Sequence, residues 1–111
     1  RILIGRSAEV LDREGRIIRR NDVVFLESGE EANCSVDRTH ARIWFDGERD
    51  AFFIVDEGSR YGTRVLRGGA VVEVPSGEPD GIRLQSGDEV CLGQASLRFS
   101  LLGLSTLKPG M

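Results

Sequence analysis

From position 22 onward the chain is built of short β-type runs that recur about every ten residues, and this spacing restricts the folds open to it. The runs are "DVVFLE", "ARIWF", "AFFIV", "GTRVL", "AVVEV", "EVCLG" and "SLRFSLL". They are rich in Val, Ile and Phe, several alternate apolar with polar residues, and Gly, Asp, Pro or Ser bounds most of them. "DGERD" (46–50) reads as a hairpin loop, and "RGG" (67–69), "PSGEPDG" (75–81) and "SGD" (86–88) read as further turns. Many short strands joined by tight turns give an all-β fold, a sandwich or a barrel. One segment departs from the pattern: "SAEVLDREG" (7–15) is predicted to form a short helix of barely two turns, with Ser7 as its cap and Gly15 as its end.

With 111 residues, 40% of them hydrophobic, the chain has room for one domain with a real core. The domain is expected over residues 1–103, with 104–111 as a tail or linker. The chain opens at Arg1 without a methionine and is expected to be a piece of something larger. It has neither an apolar run of membrane-spanning length nor a signal-peptide core. Membrane partners are therefore not expected, and the net charge of −3 argues against a general nucleic-acid binder. The charge is uneven, however. Residues 1–20 hold six arginines and three acids, so this segment is net +3 and the rest −6. Cys34 and Cys91 are too few for a disulfide framework or a zinc site. They read as reduced thiols, Cys91 as a small buried apolar residue, and the compartment as cytoplasmic.

"SVDRTHARIWF" (35–45) contains the single histidine, with Asp37 three residues and Arg38 two residues before it. A catalytic triad would need a nucleophile presented to His40, and a metal site would need more His or Cys than the chain offers. No catalytic residue, metal or cofactor is assigned. Trp44 and Phe45, which follow into a strand, read as core.

Four motifs stand in order: "IGR" (4–6), Asp37-Arg38-Thr39-His40-Ala41-Arg42-Ile43, "VDEGSRYGTRV" (55–65), and "LQSGDEVCLG" (84–93). Together they resemble the forkhead-associated (FHA) domain. That family carries Gly-Arg, then Ser-Arg-x-His-Ala-x-Ile, then Asp-x-x-Ser-x-Asn-Gly-Thr, then Leu-x-x-Gly-Asp-x-Ile-x-Leu-Gly. The resemblance implies a β-sandwich of two antiparallel or mixed sheets, to which this sequence is expected to add a short helical or loop insertion near the N-terminus. It also implies loops at one end that bind a phosphothreonine-containing protein or peptide, downstream of a Ser/Thr kinase. By the same resemblance the peptide-contacting positions are Arg6, Asp37, Arg38, Arg60 and Tyr61. Gly5, His40, Ser59, Gly62 and Thr63 are the residues that support the loops.

The sequence departs from the family at four places. The strand or two that precede "IGR" in the family are not in this sequence. The segment between Arg6 and "NDVVFL" is longer and carries Arg13, Arg16, Arg19 and Arg20, which are expected to form a cationic rim beside the loops. Tyr61 replaces the family's asparagine. Asp37 replaces its phosphate-binding serine, and an ionised carboxylate cannot donate a hydrogen bond to phosphate. Two like charges ~4 Å apart repel by roughly 4 kcal/mol at an effective dielectric of ~20. Losing one charge-assisted hydrogen bond costs only about 1.5 to 3 kcal/mol, so repulsion dominates unless Asp37 turns away or an arginine neutralises it. Ser35 is a candidate substitute hydroxyl. The competing expectation is a phospho-independent interaction module that keeps the fold and has lost the phosphate pocket.

Overall fold

The strand pairs that position the loops come from alternating residues in "ARIWFD" and "AFFIVD". In the computed structural model, which describes residues 1–26 and 31–102, these form β5 (Ala41–Asp46) and β6 (Ala51–Asp56), joined by the expected hairpin turn. Asp46 closes that turn by accepting hydrogen bonds from the Glu48 and Arg49 N–H groups, and Asp50 adopts φ 51°. β1 (Ile2–Gly5) pairs antiparallel with β5 and parallel with β4 (Val23–Val24), and β6 pairs with β9 (Ile82–Arg83). This mixed sheet has the order β4-β1-β5-β6-β9. The second sheet is antiparallel and has the order β11-β10-β7-β8. Its strands are β7 (Thr63–Arg67), β8 (Ala70–Val74), β10 (Glu89–Leu92) and β11 (Ala95–Arg98). The β7–β8 turn is Gly68-Gly69, both at positive φ, as a two-residue hairpin requires.

Ile4, Ile43, Ile54, Val65, Val90 and Leu92 meet between the sheets and are at most 3% exposed, which makes the fold a sandwich as the spacing predicts. Cys91 is buried as expected, and burial, its largest cause, pushes its thiol pKa up. Trp44 and Phe45 depart from the expected core. Trp44 is half-buried on the outer face, stacked on Phe53 at 5.3 Å, and Phe45, next to the turn, is 48% exposed. Among the described residues no helix is long and apolar enough to cross a membrane.

The helix expected over 7–15 is absent. Residues 9–20 form a hairpin of β2 (Glu9–Leu11) and β3 (Ile17–Arg20), and the insertion is therefore a β-ribbon. Turn chemistry outweighed the capping signal. The Asp12 carboxylate accepts the Glu14 and Arg16 N–H groups at 2.9 Å, and Gly15 takes φ 82°. The one helix described is a single turn, α1 (Glu31–Cys34).

One side chain fastens this ribbon to the sandwich. Arg19, 10% exposed, bonds to the Glu57 carboxylate, to Asn21 Oδ1 at 2.7 Å, and to the Ile4 and Ala41 carbonyls at 3.1 Å each. Arg19→Lys cannot reproduce a planar fork with four acceptors. It is expected to lower stability by about 2 kcal/mol, within the range for hydrogen bonds to charged groups. A lower urea midpoint, together with faster trypsin cleavage at Arg13 or Arg16, checks this.

At the other end Arg67 grips Asp88, which is 2% exposed, through Nε–Oδ1 at 2.9 Å and Nη2–Oδ2 at 2.7 Å. These bonds hold the Asp88 carboxyl below its ordinary pKa. The Gln85 N–H bond and the Arg67 charge add to the effect, and burial opposes it. The folded pKa is depressed, so the stabilisation is present above the unfolded value of about 3.9 and is lost as pH falls through the folded value. Asp88→Asn is expected to cost about 3 kcal/mol at pH 7 because it leaves a guanidinium without its partner. It should also flatten the acid limb of the urea midpoint below about pH 4, which a midpoint-against-pH series measures.

Candidate functional site

β1 ends where β5 begins and where β6 hands over to β7. The segments after Gly5, before Ala41 and between Asp56 and Thr63 therefore lie at one end of the sandwich. The last of these is organised by a residue to which the sequence reading gave no role. Asp56 is 1% exposed, and its carboxylate accepts four hydrogen bonds. They come from the Gly58 and Ser59 N–H groups at 3.0 Å each, Ser59 Oγ at 2.5 Å and Thr63 Oγ1 at 2.6 Å. Ser59 Oγ in turn accepts the Gly62 N–H at 3.0 Å. The signal was an aspartate three residues before a serine and seven before a threonine, spacing that suits a carboxylate closing its own loop.

His40 joins this loop to the preceding one. It is fully buried. Its Nδ1 accepts the Asp37 N–H at 3.0 Å, so its Nε2 carries the proton and donates to the Gly62 carbonyl at 3.0 Å. The Glu57 N–H also donates to the His40 carbonyl at 3.0 Å. Gly62, at φ 83°, makes the turn that presents that carbonyl to both His40 and the Gly93 N–H. Gly5 cannot carry a side chain. A Cβ there would fall 2.0 Å from the Arg38 carbonyl oxygen and 2.5 Å from Asn21 Nδ2. Asn21 Nδ2 bonds to that same carbonyl at 2.8 Å and to the Ser7 carbonyl at 2.6 Å, a brace the sequence reading missed.

The Asp37 carboxylate is engaged by the neighbouring loop and not by an arginine. Its Oδ2 accepts the Arg60 backbone N–H at 2.8 Å and so spans the two loops. No cation lies within ion-pair distance of it among the described residues. The Asp37 carbonyl accepts the Arg6 N–H at 3.0 Å, which ties in the third segment. Ser35 is unavailable as a substitute hydroxyl. It is 7% exposed, its Oγ donates to the Ala32 carbonyl at 2.5 Å, and the same oxygen accepts the Gln94 N–H at 2.7 Å.

Arg6 is half-buried and makes one long side-chain bond, to the Cys34 carbonyl at 3.4 Å. Arg38 and Arg60 are exposed, and Arg60 sits 5.3 Å from the centre of the Tyr61 ring, which is itself 60% exposed. None of these three guanidinium groups has a carboxylate within 4.0 Å among the described residues. The arginines expected to form a rim behave otherwise. Arg16 pairs with Asp12 and Glu14, Arg19 with Glu57, and Arg20 with Glu9 at 3.7 Å, while Arg13 has no carboxylate within 4.0 Å among the described residues. At the loop end, Arg6, Arg38 and Arg60 are the arginines left without a carboxylate among the described residues.

Comparison with known proteins agrees with this geometry. The family model "FHA domain" matches residues 2–93. Residues of this chain are 33% identical over 67 positions to the angiogenic factor with G patch and FHA domains 1 of Mus musculus. The human protein of the same name is 35% identical over 66. Each match covers 60% of this chain and 9% of the relative's length. Among solved structures, the FHA-2 domain of a Mycobacterium tuberculosis ABC transporter superposes with a TM-score of 0.53 at 27% identity, over 89% of this chain and 66% of that one. The chain belongs to the forkhead-associated (FHA) family, whose domains are generally modules that bind phosphorylated proteins rather than enzymes.

Proposed function

We propose that this domain binds phosphothreonine-containing segments of partner proteins at the end formed by Arg6, Arg38 and the 57–62 loop. One observation carries the reading: three guanidinium groups on adjoining loops at one end of the sandwich lack a carboxylate partner among the described residues, while Arg16, Arg19 and Arg20 of the ribbon have theirs. A phosphate monoester brings nearly two negative charges and three acceptor oxygens, the ligand such a cluster lacks. Gly5, His40, Ser59, Gly62 and Thr63 hold the loops without touching ligand, and Arg60 and Tyr61 offer the surface against which the peptide chain lies. The phosphate implies an upstream Ser/Thr kinase, and the thiols suit a cytoplasmic setting.

Asp37 tempers the affinity. Its carboxylate stands where a hydroxyl donor would serve a phosphate better, and it already uses the Arg60 N–H. That same bond favours a second reading, in which the loops are closed without phosphate and the domain binds unmodified partners. The measurement is a titration of matched threonine and phosphothreonine peptides at fixed salt. The first reading requires the phosphopeptide to bind more tightly and Arg6→Ala to remove that advantage, by at least about tenfold. Asp37→Asn keeps an oxygen for the Arg60 N–H while deleting the charge, and Asp37→Ser adds a hydroxyl donor. Each is expected to strengthen phosphopeptide binding by about tenfold or more, leaving the unphosphorylated peptide unchanged. Equal wild-type affinity for the two peptides would select the second reading.

A further inference from the structure

Between the inserted ribbon and the outer face of the mixed sheet runs an open groove of about 1040 Å³. Leu3, Arg42 and Val55 form its floor, β3 one wall, and Gly77 and Pro79 the other. Arg6, Arg38 and Arg60 do not line it. All four successive residues of β3, Ile17 to Arg20, do. A strand presenting one face would contribute alternate residues, so β3 meets the groove along its edge. Among the described residues that edge has no strand beside it, because β3 pairs there only with β2. Ile17 and Ile18 are 42% and 64% exposed, two β-branched apolar side chains on a ribbon added to the sandwich.

The charges point one way. Four arginines line the groove against two acids. Asp56 is consumed by its own loop, and Glu57 is held by Arg19 with Arg42 at 3.8 Å. Arg1 is in no ion pair among the described residues, and Arg20 reaches Glu9 only at 3.7 Å between exposed side chains, a weak contact. The result is a strand edge unpaired among the described residues, two exposed isoleucines beside it and two cations at hand.

We infer that this groove docks an extended, unphosphorylated segment of a partner protein, in which acidic residues flank an aliphatic one and which adds to β3 as a third strand. Main-chain bonds to β3 supply affinity, the aliphatic side chain meets the exposed Ile17 and Ile18, and the acids meet Arg1 and Arg20. A second copy of this domain would set arginine against arginine at the same place. The chain's own segment 103–111 offers no acid and one lysine, Lys108.

The test uses a fluorescein-labelled peptide of sequence Glu-Asp-Glu-Ile-Asp-Val-Glu-Asp-Gly, titrated against the wild-type protein, with amide shifts followed by NMR. Binding that weakens with salt, with shifts at residues 17–20 and 55 and none at 59–62, is the expected result. Replacing the peptide acids by lysine, or N-methylating alternate residues, should abolish it. Arg1→Glu with Arg20→Glu should weaken it at least tenfold while phosphothreonine-peptide affinity stays unchanged, which also shows the variant to be folded. No detectable binding, shifts centred on 59–62, or equal binding of the lysine peptide would each overturn the inference. Concentration-dependent self-association that Ile18→Asp abolishes would overturn it too, by assigning the groove to a second copy.

Discussion

A carboxylate taken out of water is costly unless every lone pair finds a donor, and Asp56 meets that condition by folding the chain around itself. Its four donors all come from residues 58–63, so the turn from β6 into β7 has one arrangement that satisfies it. The position of the Gly62 carbonyl follows, and with it the acceptor on which His40 rests. From His40 the constraint passes to the Asp37 N–H, and from the Asp37 carbonyl to the Arg6 N–H. The exposed arginines stand on this chain of buried bonds, and their spacing is set by residues that need not touch a ligand.

Much of this was legible in the sequence. The β-rich runs named most of the strands, and the turns at 46–50 and 67–69 fell where Asp and Gly placed them. The four motifs brought Arg6, Asp37, His40 and the 59–63 segment together. Two kinds of information were not legible. Very short strands such as β9 have no periodicity of their own and exist because a neighbour accepts them. Long-range partners are equally silent: nothing local says that Asn21 braces Arg38 or that the Asp37 carboxylate reaches the Arg60 N–H. The misread ribbon is a case of competing local signals. Ser7 and Gly15 bracket a plausible short helix, yet such a helix is marginal alone, and the turn around Asp12 lets the segment pair with 17–20 instead.

The arginines show why residue type and sequence clustering are weak guides to charge. Arg19 lies among three neighbours of the same kind and is a structural bolt, its fork filled by one carboxylate, one amide and two carbonyls. Arg6, from the same stretch of sequence, keeps its guanidinium almost unused. Counting charge over residues 1–20 treats the two alike. Only the acceptors around each of them, supplied by β1, β5 and Glu57, tell them apart.

The loop end is drawn from three stretches of chain, around residues 6, 37 and 60, and no stretch can be completed by its sequence neighbours. Contacts between segments this far apart close large loops of chain and form late and together during folding. The surface cannot be assembled from a part of the chain, because a fragment ending before Gly62 would lack the carbonyl on which His40 is seated. A ligand gripping all three loops couples to the global folding equilibrium rather than to a local ordering step, and it holds the whole sandwich closed in proportion to its occupancy.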